Sequence, residues 1–233
     1  LSFIFIMKTL PLLTIAAVLL LITGCGTPYY RDDSAINVGC TDNCMTFNVK
    51  ITTGEGSITP LANTLVELEW SESSVGRLIG RGVTAADGTI SFSFKAKEEE
   101  LHSGSYYITA QRGGGYITQS RKFYVTNGSA IVNTEIHVPS IATLKVVYKN
   151  FNPVADGDYF SCNRYYNGGT YTRIGRSFTK NGGAFTQIEE ISTTAGNQYT
   201  YFDIKRIKNG ITTITKDSAF VGRGQTKIYE IEY

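Results

Sequence analysis

An all-β chain, folded as two tandem β-sandwiches behind a cleaved N-terminal export signal, is the architecture that three features of the sequence predict. Glycine, threonine and tyrosine are plentiful beyond Cys25 while leucine and methionine are sparse, a mixture suited to strands and tight turns. Apolar residues alternate with polar ones in short runs punctuated by Gly, Asn, Asp and Pro. The runs fall into two sets on either side of Val138-Pro139-Ser140, and seven short strands with regular turns make a sandwich of roughly 100 residues.

Residues 1–24 read as a signal peptide. Lys8 supplies the positive n-region, Leu10 to Ile22 the apolar h-region, and Thr23-Gly24 the small residues that a signal peptidase requires. The apolar run is shorter than the roughly 20 residues needed to span a bilayer. Leu1 to Ile6 carry no charge and precede the methionine, Met7, that would start such a signal. Ile22-Thr23-Gly24-Cys25 resembles the lipobox of bacterial lipoproteins. That resemblance implies a diacylglycerol on the Cys25 sulfur and cleavage just before it, making Cys25 the lipidated N-terminus and the membrane a partner. Gly26 resembles the residue that permits outer-membrane delivery in Gram-negative cells. Arg31-Asp32-Asp33 resembles acidic signals for export to the cell surface.

Residues 25–44 are expected to form a lipidated tether. Gly26 to Asn43 has little periodicity, and as a random coil it would span about 20–25 Å. Within it, Cys40 and Cys44 are spaced to close a small disulfide loop, which an exported protein can keep. A zinc site is the rival reading, but zinc takes four ligands and His102 and His137 are distant in sequence. Cys162 is left as a buried small apolar residue. Charge is nearly balanced, with 22 Lys and Arg against 20 Asp and Glu, so nothing suggests the concentrated basic face of a nucleic-acid binder.

The first sandwich is expected over residues 45–139. Met45, Phe47, Val49 and Ile51 share one face of the opening strand, and Val66, Leu68 and Trp70 point inward from Asn63 to Trp70. Strands over Arg77 to Val83, Thr89 to Phe94, Ser105 to Gln111, Tyr116 to Val125 and Ala130 to Val138 complete the set. Ala86-Asp87-Gly88 supplies a turn. His137, near a strand end, reads as an exposed pleat residue.

Leu61-Ala-Asn-Thr-Leu-Val-Glu-Leu, Thr84-Ala-Ala-Asp-Gly-Thr-Ile-Ser-Phe, Gly104-Ser-Tyr-Tyr-Ile-Thr-Ala and Gly115-Tyr116 follow one another in order. Together they resemble the carboxypeptidase regulatory-like domain, a transthyretin-like sandwich related to the B-type repeats of bacterial collagen adhesins. The resemblance implies an immunoglobulin-like or transthyretin-like fold and a scaffold or spacer role, without catalysis. Some adhesin repeats form a Lys–Asn isopeptide bond. Lys50 lies on the polar face of its strand and the position near Gln111 is not acidic, so none is expected here.

A second sandwich is expected over residues 140–233. Ala142 to Tyr148, Gly157 to Tyr165, Tyr171 to Phe178, Phe185 to Ile191, Gln198 to Lys208, Ile211 to Val221 and Thr226 to Tyr233 are its candidate strands. Asn209-Gly210 predicts a type I′ hairpin turn. Asp156-Gly157-Asp158 reads as an ordinary turn in preference to a calcium loop, which needs six or more oxygens.

No nucleophile elbow, phosphate loop or zinc-protease helix is present, and no cofactor is implied. His102 follows Glu98-Glu-Glu-Leu and reads as part of a solvated loop. The surface most suggestive of binding is the hairpin Arg164 to Arg173, with Arg164, Tyr165, Tyr166, Tyr171 and Arg173. Tyrosine rings with polar tips are suited to stacking on sugars or docking a peptide. The expected function is therefore a non-enzymatic, lipid-anchored envelope protein of the outer membrane, in a structural, display or adhesion role, facing either the periplasm or the cell exterior. The alternative is a carbohydrate-binding lipoprotein that presents glycans to a transporter or enzyme.

Overall fold

A computed structural model of the chain describes residues 29–34, 36–168 and 173–233. The expected signal peptide, Cys25 and Tyr171 lie outside these residues. What is described is mostly strand and forms two β-sandwiches.

In the first, β1 (Tyr30–Asp32), β4 (Leu65–Glu72), β5 (Val75–Val83), β7 (Ser105–Gln111) and β8 (Gln119–Phe123) form a sheet in the order β1-β5-β4-β7-β8. The facing sheet centres on β2 (Met45–Thr53), flanked antiparallel by β6 (Thr89–Phe94) and parallel by β9 (Ile131–His137), with β3 (Thr59–Pro60) pairing its end. A short helix, α1 (Glu98–His102), closes one end. Alternation drives the packing: Met45, Phe47, Val49 and Ile51 are all buried against Val66, Leu68, Tyr106 and Ile108. The Phe47 ring lies 5.5 Å from Tyr106 and 5.6 Å from Phe123, centroid to centroid. Burying such side chains is the largest favourable contribution to folding, about 1.5–3 kcal/mol each.

Two expectations change here. The stretch read as free tether is partly structured, because β1 pairs in parallel with β5 (Tyr30 with Val75, Asp32 with Arg77) and extends that sheet. Asn37 then donates its side-chain N–H to the Arg81 carbonyl and accepts from the Arg81 amide. These contacts satisfy an edge that β5 would otherwise expose. The expected strand over Tyr116 to Val125 shortens to β8, because Tyr116 leaves the ladder to bridge Ser140.

The second sandwich is built from β10 (Ser140–Phe151), β11 (Tyr159–Asn167), β12 (Arg173–Asn181), β13 (Phe185–Gly196), β14 (Gln198–Lys208), β15 (Ile211–Val221) and β16 (Thr226–Glu232). One sheet runs β13-β10-β16, with β16 parallel to β10, and the other runs β12-β11-β14-β15. Its core gathers Leu144, Val146, Tyr148, Phe151, Phe160, Cys162, Phe202 and Ile231. Asn209 (φ 50°) and Gly210 (φ 73°) form the tight turn between β14 and β15.

The two sandwiches are spliced with almost no linker. β9 ends at His137, β10 begins at Ser140, and Val138 and Pro139 between them are buried. His137 is therefore not an exposed pleat residue. Its Nδ1 lies 3.1 Å from the Ser57 hydroxyl and its Nε2 3.2 Å from Gln198 Oε1, so the ring bridges the two sandwiches. Glu55 accepts the Tyr199 amide at 2.8 Å and the Tyr201 hydroxyl at 3.1 Å. From the other side, Arg223 donates to the Gly114 carbonyl at 2.6 Å and lies 4.5 Å over the Tyr116 ring.

Candidate functional site

The hairpin singled out by its tyrosines and arginines is divided by the pleat of β11. Successive residues of a strand point to opposite faces, so Arg164 and Tyr166 are buried and only Tyr165 of the three faces outward. Arg164 and Tyr166 therefore do not share an exposed surface with Tyr165, contrary to the expected binding hairpin. Arg173 is described only as the first residue of β12.

On the inner side Arg164, 5% exposed, contacts Glu190 Oε2 at 2.9 Å and donates to the Tyr148 hydroxyl at 3.1 Å. The same hydroxyl donates to Glu190 at 3.2 Å, closing a polar triangle at the edge of the apolar core, where the Glu190 side chain stays partly exposed. Burial pushes the Tyr148 hydroxyl well above the ordinary tyrosine range, so it stays a donor at any physiological pH. Its ring stacks on Phe178 at 3.8 Å. Beside the triangle a cleft of ≈ 230 Å³ is lined by Arg164, Tyr166, Leu144, Ser192, Thr194 and Thr200. The Thr194 and Thr200 hydroxyls are 2.9 Å apart and buried. Gly175 forms the opposite lip, and any side chain there would meet the Arg164 carbonyl oxygen at 2.4 Å.

On the outer side Tyr165 begins an aromatic row. Its ring is 5.6 Å from Tyr201, Tyr201 is 6.3 Å from Tyr199, and Tyr199 is 5.4 Å from Phe220. Tyr199 and Phe220 are 43% and 49% exposed. Burial and the hydrogen bond to Glu55 together raise the Tyr201 hydroxyl above its usual range. Tyr199, Tyr201, Phe220 and Glu55 were missing from the sequence reading. The period-2 pattern of β14, which buries Thr200, Phe202 and Ile204, already puts Tyr199 and Tyr201 on the other face.

The remaining candidates resolve locally. Cys40 and Cys44 form a disulfide with Cα atoms 5.8 Å apart, and Cys162 is a buried thiol pushed up to about 11 by burial. Asp158 accepts the amides of Val154, Ala155 and Asn209, so its carboxylate organises a turn. Among the described residues, no group of three or more His, Cys, Asp or Glu side chains is placed to hold a metal ion. The site offers stacking faces, hydroxyls and a partly neutralised guanidinium, which is binding chemistry.

No family model and no curated protein matches the chain. Among solved structures, a TIE protein of Bacillus anthracis is similar at 12% identity and a TM-score of 0.34, over 81% of this chain and 34% of that one. The present chain thus spans about a third of that protein's length. A DUF3823 family protein from Parabacteroides merdae ATCC 43184 is similar at 10% identity and a TM-score of 0.28, over 76% of this chain and 98% of that one. Among the described residues no helix is long and apolar enough to cross a membrane.

Proposed function

We propose that the chain is a non-enzymatic, lipid-anchored protein of a Gram-negative outer membrane whose first sandwich acts as a stalk and whose second is displayed. The observation that carries the reading is the buried splice. His137, Glu55 and Arg223 tie the sandwiches from opposite sides, which makes a stiff presenter instead of two beads on a string. The Ile22 to Cys25 sequence supplies the anchor and the Leu61 to Tyr116 pieces support a regulatory-like, non-catalytic scaffold. Lipid on Cys25 would carry more than one acyl chain, the condition for stable anchoring. Neither a cofactor nor nucleic acid has a part in this reading.

Protease shaving of intact cells carrying a C-terminal tag tests it. The tag should disappear while a periplasmic control survives. A tag protected until the outer membrane is broken would replace display with a structural role inside the envelope.

The aromatic row favours a second reading, capture of a carbohydrate by the displayed sandwich. Tyr165, Tyr201 and Tyr199 offer successive ring faces on one sheet surface, and Tyr165 also lines the cleft beside Arg164. A glycan panel should return a ligand, and Tyr199→Ala should weaken it about tenfold, the loss of one good anchor. Silence across the panel would leave display or adhesion to a protein partner.

A further inference from the structure

The fold places the start of the described chain at the end of the molecule remote from the second sandwich. β5 runs from Val75, beside Tyr30, to Val83, which pairs with Leu65; Leu65 in turn pairs with Gln111. Just beyond Gln111 lies Gly114, which Arg223 of the second sandwich contacts. The nine residues of β5 therefore separate the two ends by about 26 Å. The Tyr30 amide donates to the Ser74 carbonyl at 2.8 Å, which fixes the point of entry against the β4–β5 turn.

Only Gly26, Thr27 and Pro28 lie between Cys25 and Tyr29. Whatever its conformation, so short a stretch lets the Cys25 Cα lie at most about 14 Å from that of Tyr29. If Cys25 carries the lipid, the entry pole cannot stand off from the bilayer.

The side chains at this pole suit that position. Tyr30 is 67% exposed and its ladder partner Val75 is 49% exposed, whereas the Tyr29 hydroxyl donates to Glu69 and holds that ring on the sheet face. Tyrosine, with an apolar body and a polar tip, is among the residues enriched where membrane meets water. Glu72, Glu98 and Glu99 are exposed at the same pole against Lys95 and Lys97, and Arg31 is already paired with Asp33 and Glu69. Attraction to anionic lipid is therefore not the driving force, and the matching surface is a zwitterionic headgroup layer.

We infer that Tyr30 and Val75 form a bilayer-contact surface that seats the first sandwich on the membrane and points the second away from it. The inference rests on the lipid-anchor reading of Cys25. Its test uses the membrane-extracted protein, reconstituted into phosphatidylcholine vesicles brominated on the acyl chains near the headgroup, with Tyr30→Trp compared against Ile211→Trp. Trp70, buried near the same pole, is the chain's own tryptophan, and the unaltered protein sets its contribution. The Tyr30→Trp protein brings a second tryptophan to the bromines, so its emission should fall beyond any fall in the unaltered protein, and that of Ile211→Trp should fall no further than the unaltered protein's. A Tyr30→Trp protein that floats with the vesicles but is quenched no further than the unaltered protein overturns the seating while keeping the anchor. Added quenching at both positions means the molecule lies on its side, which also overturns it. Failure to float removes the anchor, and the inference with it.

Discussion

Burial keeps the His137 imidazole neutral, holding its pKa below the usual value near 6.5 despite the opposing pull of Gln198, Glu135 and Glu55. With Nε2 donating to Gln198, Nδ1 accepts from the Ser57 hydroxyl, and a second proton would leave that hydroxyl facing a donor. The unfolded chain takes up a proton near pH 6.5, so it binds more protons than the native state below that point. Stability is therefore complete above about pH 6.5 and falls as the pH drops through that value toward the lower native pKa. Thermal melts across this range should show the decline in the native protein and a flatter profile in His137→Gln; equal slopes would contradict the assignment. A second residue-scale case is Glu100, whose two oxygens each take a 2.6 Å bond from Arg77 while it also accepts the Lys97 amide. Glu100→Gln leaves the Arg77 guanidinium buried without its counter-charge. Denaturant unfolding should record a loss of about 3–5 kcal/mol, and a loss below about 1 kcal/mol would show the pair to be dispensable.

Among elements, the turns separate backbone cost from packing cost. Gly210 adopts φ 73° with open space around the position of a Cβ, whereas Gly88, at φ 76°, would bring a Cβ to 2.4 Å from the Ile51 carbonyl oxygen. Gly210→Ala should therefore lose about 1 kcal/mol, the left-handed backbone penalty alone. Gly88→Ala should lose at least about 2 kcal/mol, because a backbone contact must also yield. Comparable losses at the two positions would undo this distinction. Strands with strong alternation between clear turn residues were legible from the sequence, and β6, β7, β14 and β15 begin and end where their patterns do. β1 was not legible. It has three residues, is held by a parallel partner more than forty positions away, and has no alternation long enough to register. In β11 the sequence marked the right segment but treated its side chains as one surface, although the pleat sends Arg164 and Tyr166 into the cleft and Tyr165 to the aromatic row.

For the whole molecule, Val138-Pro139-Ser140 marked the boundary between sandwiches but not its character. The residues that make it rigid are far apart in the chain: His137 and Gln198 are separated by 61 positions, and Glu55 and Tyr201 by 146. No local pattern carries such information. Because these contacts couple the halves, calorimetry should give one transition, and Glu55→Ala combined with Arg223→Ala should split it into two. Two transitions in the unaltered protein would mean that the sandwiches melt independently and that the presenter is not stiff. The proposed anchorage rests on Cys25, and intact mass of the protein extracted from membranes tests that most directly. The expected mass is that of a chain that has lost residues 1–24 and begins at Cys25 with its added lipid. A mass that retains residues before Cys25, or a bare Cys25, would contradict it.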